Sequence, residues 1–124
     1  MATGTKNRTG ITFDIVWENP APSSDFQSQT VAIDLSDYDM VMIECKMSTS
    51  GTSRSEHFVR VGKMAIMAMQ NLAGSAYTYK RQATVSTAGI AFTTGYRNTT
   101  DTTGNSYLVP LVIYGIKGVP NASV

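Results

Sequence analysis

The sequence predicts an all-β domain, an antiparallel β-sandwich with jelly-roll-like connections. Apolar and polar residues alternate with a period of two in residues 11–17, 31–35 and 77–85, as in strands with one buried face. Clusters of Gly, Ser, Thr, Asn and Pro separate these runs at short intervals, and no long helices alternate with them. This spacing is typical of sandwiches and barrels, so a barrel is the alternative architecture.

The first half of the chain contains three predicted strands. Residues 11–18 alternate, and their predicted inward face carries Ile11, Phe13, Ile15 and Trp17. Residues 29–35 alternate in the same way. Residues 40–47 are apolar on both faces until Glu44 and Lys46, so this strand is expected near the centre of a sheet.

Residues 63–70 are ambiguous. Met and Ala favour a helix, and Ile66 is the only β-branched residue in the segment. The alternation of Met67 and Met69 with their neighbours also fits a strand. A buried strand is favoured because the rest of the chain is β, and a short helix is the alternative.

The second half predicts a hairpin and a closing strand. Residues 76–86 and 89–95 are expected to pair across the turn at 87–89. Residues 105–117 form an apolar run bounded by turn signals, which indicates a buried strand. A bulge or the strand's start is expected at Pro110, because proline has no N–H for the ladder. The side chains predicted to be buried, the last of them in part, are Leu111, Ile113, Ile116 and Tyr114.

Composition indicates one domain, residues 11–124, preceded by a flexible polar arm, residues 1–10. Charged residues are 15% of the chain, below the usual quarter. The basic and acidic residues are spread along the chain, and their net charge is +1. We therefore expect no nucleic-acid partner. No apolar run is long enough to span a bilayer, and the N-terminus lacks the apolar core of a signal peptide. Production in the cytoplasm is expected.

The candidate reactive residues predict neither an enzyme nor a metal or cofactor site. His57 is the only histidine, and no triad order accompanies it. The cluster of Asp34, Asp37 and Asp39 lacks the glycine and final glutamate of a calcium loop, and turn and capping roles explain Asp37 and Asp39. Cys45 lies within a predicted strand and is expected to be buried and inert.

Two parts of the sequence carry a resemblance to a known class of domain. A proline followed by an aliphatic run and Ile113-Tyr114-Gly115-Ile116 is similar to the ending of small domains in bacteriophage tail and fibre proteins. The opening of those domains resembles Trp17-Glu18-Asn19-Pro20 together with residues 26–31 and 35–39. The resemblance covers about residues 17–117 and brings no catalytic motif.

The resemblance implies a β-sandwich of a virion, made in the bacterial host, with other virion proteins as partners. Fibre-tip domains commonly form homotrimers, so the resemblance also implies a trimer. Two functions follow as hypotheses. The first is a tail, fibre or baseplate protein that contributes to binding the host surface. The second is a purely structural virion or capsid decoration protein without a host ligand.

A host glycan is the ligand that the sequence suggests for the first hypothesis. Tyr96, Arg97 and Asn98 combine an aromatic ring with hydrogen-bonding side chains, and sugars stack on such rings while polar groups take their hydroxyls. The alternative is that Tyr96 only packs at a strand end. The polar loops at 48–55 and 98–105 are expected to face the ligand. Trp17 and the methionine-rich segment are assigned to core and subunit interface instead.

Overall fold

The computed structural model describes residues 10–70, 77–97 and 102–120. These residues form an all-β structure of two packed antiparallel sheets and contain no helix, which confirms the predicted fold class; the jelly-roll connectivity remains a prediction. The predicted N-terminal arm lies almost wholly outside the described residues. The strands are β1 (Thr12–Glu18), β2 (Gln29–Ala32), β3 (Met40–Ser48), β4 (Arg54–Arg60), β5 (Met64–Gln70), β6 (Thr78–Ser86), β7 (Gly89–Phe92), β8 (Tyr96–Arg97), β9 (Thr102–Thr103) and β10 (Tyr107–Lys117).

The closing strand lies inside a sheet rather than at its edge. The four-stranded sheet has the order β1-β10-β3-β4, so the last strand pairs with the first and with β3. The six-stranded sheet has the order β2-β7-β6-β8-β9, with β5 also paired to β6. A register shift between Pro110 and Val112 confirms the bulge expected near Pro110.

The core lies between the two sheets. From the four-stranded sheet, Val41 and Ile43 of β3 pack with Ile113 of β10, all fully buried. The six-stranded sheet contributes Val31, Met67, Ala83, Val85 and Ile90. The expected burial of the closing strand is confirmed, because Leu111, Ile113 and Ile116 are 6%, 0% and 1% exposed and Tyr114 is half-buried.

The inward face predicted for β1 is wrong. Ile11, Phe13 and Ile15 are 54%, 50% and 57% exposed, whereas Trp17 packs against the core. The cause is a bulge: Ile15 pairs with Tyr114, but Trp17 pairs with the adjacent Ile113. Neighbouring residues of a strand face opposite sides, so one extra residue turns Trp17 inward and leaves the preceding apolar side chains on the outer side.

The ambiguous methionine-rich segment is a strand. β5 pairs with β6 along its full length, from Met64 opposite Thr84 to Gln70 opposite Thr78. This pairing overrides the helix preference of Met and Ala. The predicted hairpin is also confirmed: β6 and β7 are antiparallel, and Ser86 pairs with Gly89 across the turn.

Candidate functional site

A buried arginine donates hydrogen bonds to backbone carbonyls from several segments of the chain. Arg81 is 0% exposed and lies on the inward face of β6. Its Nε donates to the carbonyl of Leu108 at 2.9 Å. Its two terminal nitrogens donate to the carbonyls of Phe26, Thr93, Asn105 and Tyr107 at 2.6–3.3 Å. Guanidinium has five N–H donors, so each of them has a carbonyl acceptor.

These contacts make Arg81 a positioning residue for the loop that enters β2. Desolvation lowers the pKa of Arg81 to about 10, which keeps the side chain charged at neutral pH. The guanidinium also lies 5.3 Å from the ring centroid of Phe26, whose carbonyl it binds. This role was not predicted from the sequence, although alternation places residue 81 inward between Tyr79 and Ala83.

The structure does not bring Tyr96 and Arg97 together on one face. Tyr96 pairs with Lys80, and the Lys80 Nζ lies 5.9 Å from its ring centroid. Arg97 pairs with Tyr79 instead, and its guanidinium lies 4.1 Å from the ring centroid of Tyr77. Asn98 and part of the loop at 98–105 lie outside the described residues. The ligand role of these residues therefore remains a prediction, and Tyr96 and Arg97 would need different ligand groups.

A cleft of about 420 Å³ lies where β1 of one sheet approaches β2 of the other. We call it the Trp17 cleft; its lining includes Trp17, Asn19, Asp25, Phe26 and Gln29. Phe26 is buried and makes edge-to-face contacts with Trp17, at 6.1 Å between centroids, and with Phe92. The cleft therefore has an aromatic wall fixed by the core, with polar side chains around it.

The polar side chains of the Trp17 cleft divide into two groups. Asn19 is structural: its Nδ2 donates to the Pro110 carbonyl at 2.8 Å, and its Oδ1 accepts from the Ala21 N–H at 2.8 Å. Asp25 is exposed and makes no hydrogen bond or ion pair within the described residues. Gln29 uses its Nε2 on the Gln27 carbonyl at 3.1 Å, which leaves its Oε1 available. A carboxylate and an amide oxygen thus face solvent near an aromatic wall.

The one histidine has a serine neighbour. Ser55 Oγ lies 2.7 Å from His57 Nε2, and both residues lie on the inner side of β4. Burial lowers the pKa of His57, so the ring is neutral at pH 7. No group of three or more His, Cys, Asp or Glu side chains that could hold a metal ion lies within the described residues.

The other reactive residues have structural contacts. The Asp34 Oδ1 accepts from the Ser36 N–H and Oγ–H, which lowers the pKa of Asp34. The Asp39 Oδ2 accepts from two backbone N–H groups, those of residues 118 and 119. Cys45 is fully buried beside Met67, and burial raises the pKa of its thiol. Cys45 has the buried position that the sequence predicted, whereas Asp39 binds a segment distant in sequence and the local turn bond is made by Asp34.

No family model, curated protein or solved structure matches this chain. None of the described segments forms an apolar helix of the length that a bilayer crossing needs.

Proposed function

We propose that this chain is a structural protein of a phage virion, in the tail, fibre or baseplate, and contributes to host-surface binding. The β-sandwich architecture agrees with the resemblance over residues 17–117. The observation that carries the proposal is the Trp17 cleft, because the two opening segments of that resemblance supply its aromatic wall and part of its polar rim. The cleft therefore replaces the Tyr96 region as the ligand site that we favour.

The chemistry of the Trp17 cleft suits a carbohydrate. A sugar ring presents an apolar face that packs on an aromatic side chain, while its hydroxyls donate to carboxylate and amide oxygens. Trp17 offers the ring, and the indole N–H has no acceptor within the described residues. Asp25 and Gln29 offer the oxygens. Arg81 fixes the carbonyl and ring of Phe26, which gives the cleft a preorganised wall.

The test measures binding to a panel of immobilised bacterial surface polysaccharides and to whole cells. We expect Asp25→Asn and Gln29→Ala each to weaken binding about two- to tenfold, the effect of one hydrogen bond. Trp17→Ala should weaken it further. Matched controls are Asp37→Asn and Gln70→Ala, which change exposed side chains of the same types elsewhere. Thermal unfolding of each variant separates loss of binding from loss of fold.

Two outcomes would contradict the proposal. If all three cleft variants bind like the unaltered chain while the panel is recognised, the ligand site lies elsewhere. If no polysaccharide or cell is bound at all, the second hypothesis, a purely structural virion or decoration protein, gains support.

A specific observation also favours that alternative. The exposed apolar side chains of β1 and β4 suit contact with protein.

A further inference from the structure

The side chains that line the Trp17 cleft carry a negative charge and no positive one. Asp25 is the one charged side chain among the lining residues that the structure describes, and it is exposed. Its carboxylate has no hydrogen-bond or ion-pair partner in that part of the chain. Arg81, which binds the Phe26 carbonyl, is fully buried and donates its N–H groups to backbone carbonyls, so it presents no donor to the cleft. A charged ligand of the cleft should therefore be a cation.

The side-chain hydrogen-bonding groups left open in the Trp17 cleft are mostly acceptors. The Asn19 Nδ2 and the Gln29 Nε2 are occupied, because each donates to a backbone carbonyl of the chain. The Gln29 Oε1 and the carboxylate oxygens of Asp25 remain open, and the Trp17 indole N–H is the one open side-chain donor among the lining residues described. β2 is an edge strand, and its open backbone groups are donors and acceptors alike. The open side chains therefore match a ligand group that donates and does not accept.

An ammonium group has this chemistry. It carries three N–H donors, a positive charge and no acceptor, whereas a sugar hydroxyl both donates and accepts. A cation is also attracted to the face of an aromatic ring, and most strongly to the indole of tryptophan. Trp17 is half-buried and its ring contacts Phe26 edge-to-face at 6.1 Å, so the indole is held in place next to the segment that carries Asp25.

We propose that the ligand of the Trp17 cleft is an amino sugar with a free, protonated amine. This inference rests on the proposed carbohydrate-binding function and narrows its ligand class. The sugar ring packs on Trp17, and its ammonium group donates to the carboxylate of Asp25 and to the Gln29 Oε1. An acidic sugar is disfavoured at the same position because Asp25 repels it, and an N-acetylated sugar lacks the charge that Asp25 attracts.

The first test compares two oligosaccharides that differ only in the amine. The probes are oligomers of glucosamine and of N-acetylglucosamine with the same length and linkage, in a buffer that protonates the free amine. Trp17 is the only tryptophan of the chain, so a fluorescence titration reports on the cleft itself. We expect the glucosamine oligomer to bind about five- to tenfold more tightly, the combined effect of an exposed ion pair and a cation–π contact. An oligomer of galacturonic acid should bind most weakly.

The second test removes the charge of the cleft. Asp25→Asn keeps a side-chain oxygen but loses the negative charge, so the preference for the glucosamine oligomer should fall to about twofold, the part due to the cation–π contact. The matched control is Asp37→Asn, which changes an exposed carboxylate elsewhere and should leave the preference unchanged. Raising the salt concentration from about 0.05 to 0.5 M should weaken binding of the glucosamine oligomer alone, because salt screens an exposed ion pair. Thermal unfolding confirms that each variant folds.

The results separate the amino-sugar ligand from the function on which it rests. Equal affinity for the two oligomers, tighter binding of the acetylated one, or an unchanged preference in Asp25→Asn would overturn the amino-sugar ligand. So would the lack of any fluorescence response to the glucosamine oligomer at millimolar concentration. If a bacterial polysaccharide of the panel still bound, and Trp17→Ala removed that binding, the carbohydrate function would stand without the amine. If neither the oligomers nor the panel and cells were bound, both proposals would be wrong.

Discussion

At the scale of single residues, Arg81 has the largest consequence for the fold. A buried charge usually needs an acidic partner, yet the ion pair recorded within the described residues joins Arg54 and Glu44 at 3.9 Å on the surface. Arg81 is stabilised instead by five backbone carbonyls from three separate segments of the chain. Removing the guanidinium would leave those carbonyls without their donors in the interior.

Replacing Arg81 is expected to destabilise the fold strongly. Arg81→Lys retains the charge but has three donors on one nitrogen, so it cannot reach all five carbonyls. We expect a loss of about 3–5 kcal/mol in the free energy of unfolding, the range for breaking a buried charged network. The control is Lys80→Met, at the neighbouring position on the outer side of β6. Urea unfolding gives the stability of both variants. If Arg81→Lys unfolded at the same urea concentration as the unaltered protein, the hydrogen-bond network of Arg81 would be dispensable for stability.

The lowered pKa of His57 predicts that the fold loses stability at a pH above the range in which carboxylates titrate. Burial lowers its pKa below the ordinary value of 6.5, so the unfolded chain binds the proton more tightly than the folded one. The contribution of neutral His57 to stability is therefore fully present above about pH 6.5, and it is lost as the pH falls through the pKa of His57 in the folded protein. We expect the melting temperature to fall between about pH 7.5 and 5.5, and to fall less in His57→Gln. Equal losses in both proteins would assign the acid sensitivity to other groups.

At the scale of elements, alternation predicted the strands well because burial on one face imposes a period of two. β6 shows this, because Tyr79, Ala83 and Val85 are buried at the inward positions that alternation predicts. The period cannot tell which face is covered, and it cannot reveal a bulge that depends on the partner strand. For this reason the sequence placed Ile15 and Trp17 on one face, whereas the pairing of β1 with β10 separates them.

The candidate site was less predictable than the strands. Tyr96 and Arg97 are adjacent in a strand, so alternation alone argues that they face opposite sides. The Trp17 cleft could not be derived in the same way. It forms because β1 and β2 belong to different sheets that meet at one edge, and because the loop to Phe26 is held by an arginine distant in sequence.

The closing strand gives a direct test of how the core is stabilised. Ile113→Ala removes a fully buried side chain of β10, and we expect a loss of about 2–5 kcal/mol in the free energy of unfolding. Ile66→Ala makes the same chemical change at an exposed position of β5 and should cost about 0.5–1 kcal/mol or less. Denaturant titration gives both values. Similar midpoints for the two variants would contradict the position of β10 inside the core.

At the scale of the whole molecule, the order of the four-stranded sheet determines when the fold can close. β1 pairs with β10 within that sheet, and β10 also separates β1 from β3. The first strand therefore has no place in the sheet until the last strand has been made. Gly115 contributes to this closure, because a Cβ there would lie 2.6 Å from the ring of Tyr38. Such long-range pairing is typical of slowly folding β proteins.

The Trp17 cleft and the exposed side chains of Phe13 and Ile15 lie on different sides of the four-stranded sheet. The bulge in β1 produces this separation, because Ile15 faces outward while Trp17 faces inward towards Phe26. Oligomer formation through the outer side of this sheet would therefore leave the cleft of each copy open to solvent. Two clefts engaging one cell surface raise the overall avidity by about 10²–10⁴ when both can reach the ligand. Weak stacking of a single sugar ring would then suffice for attachment, so a shallow cleft is compatible with a role in host binding.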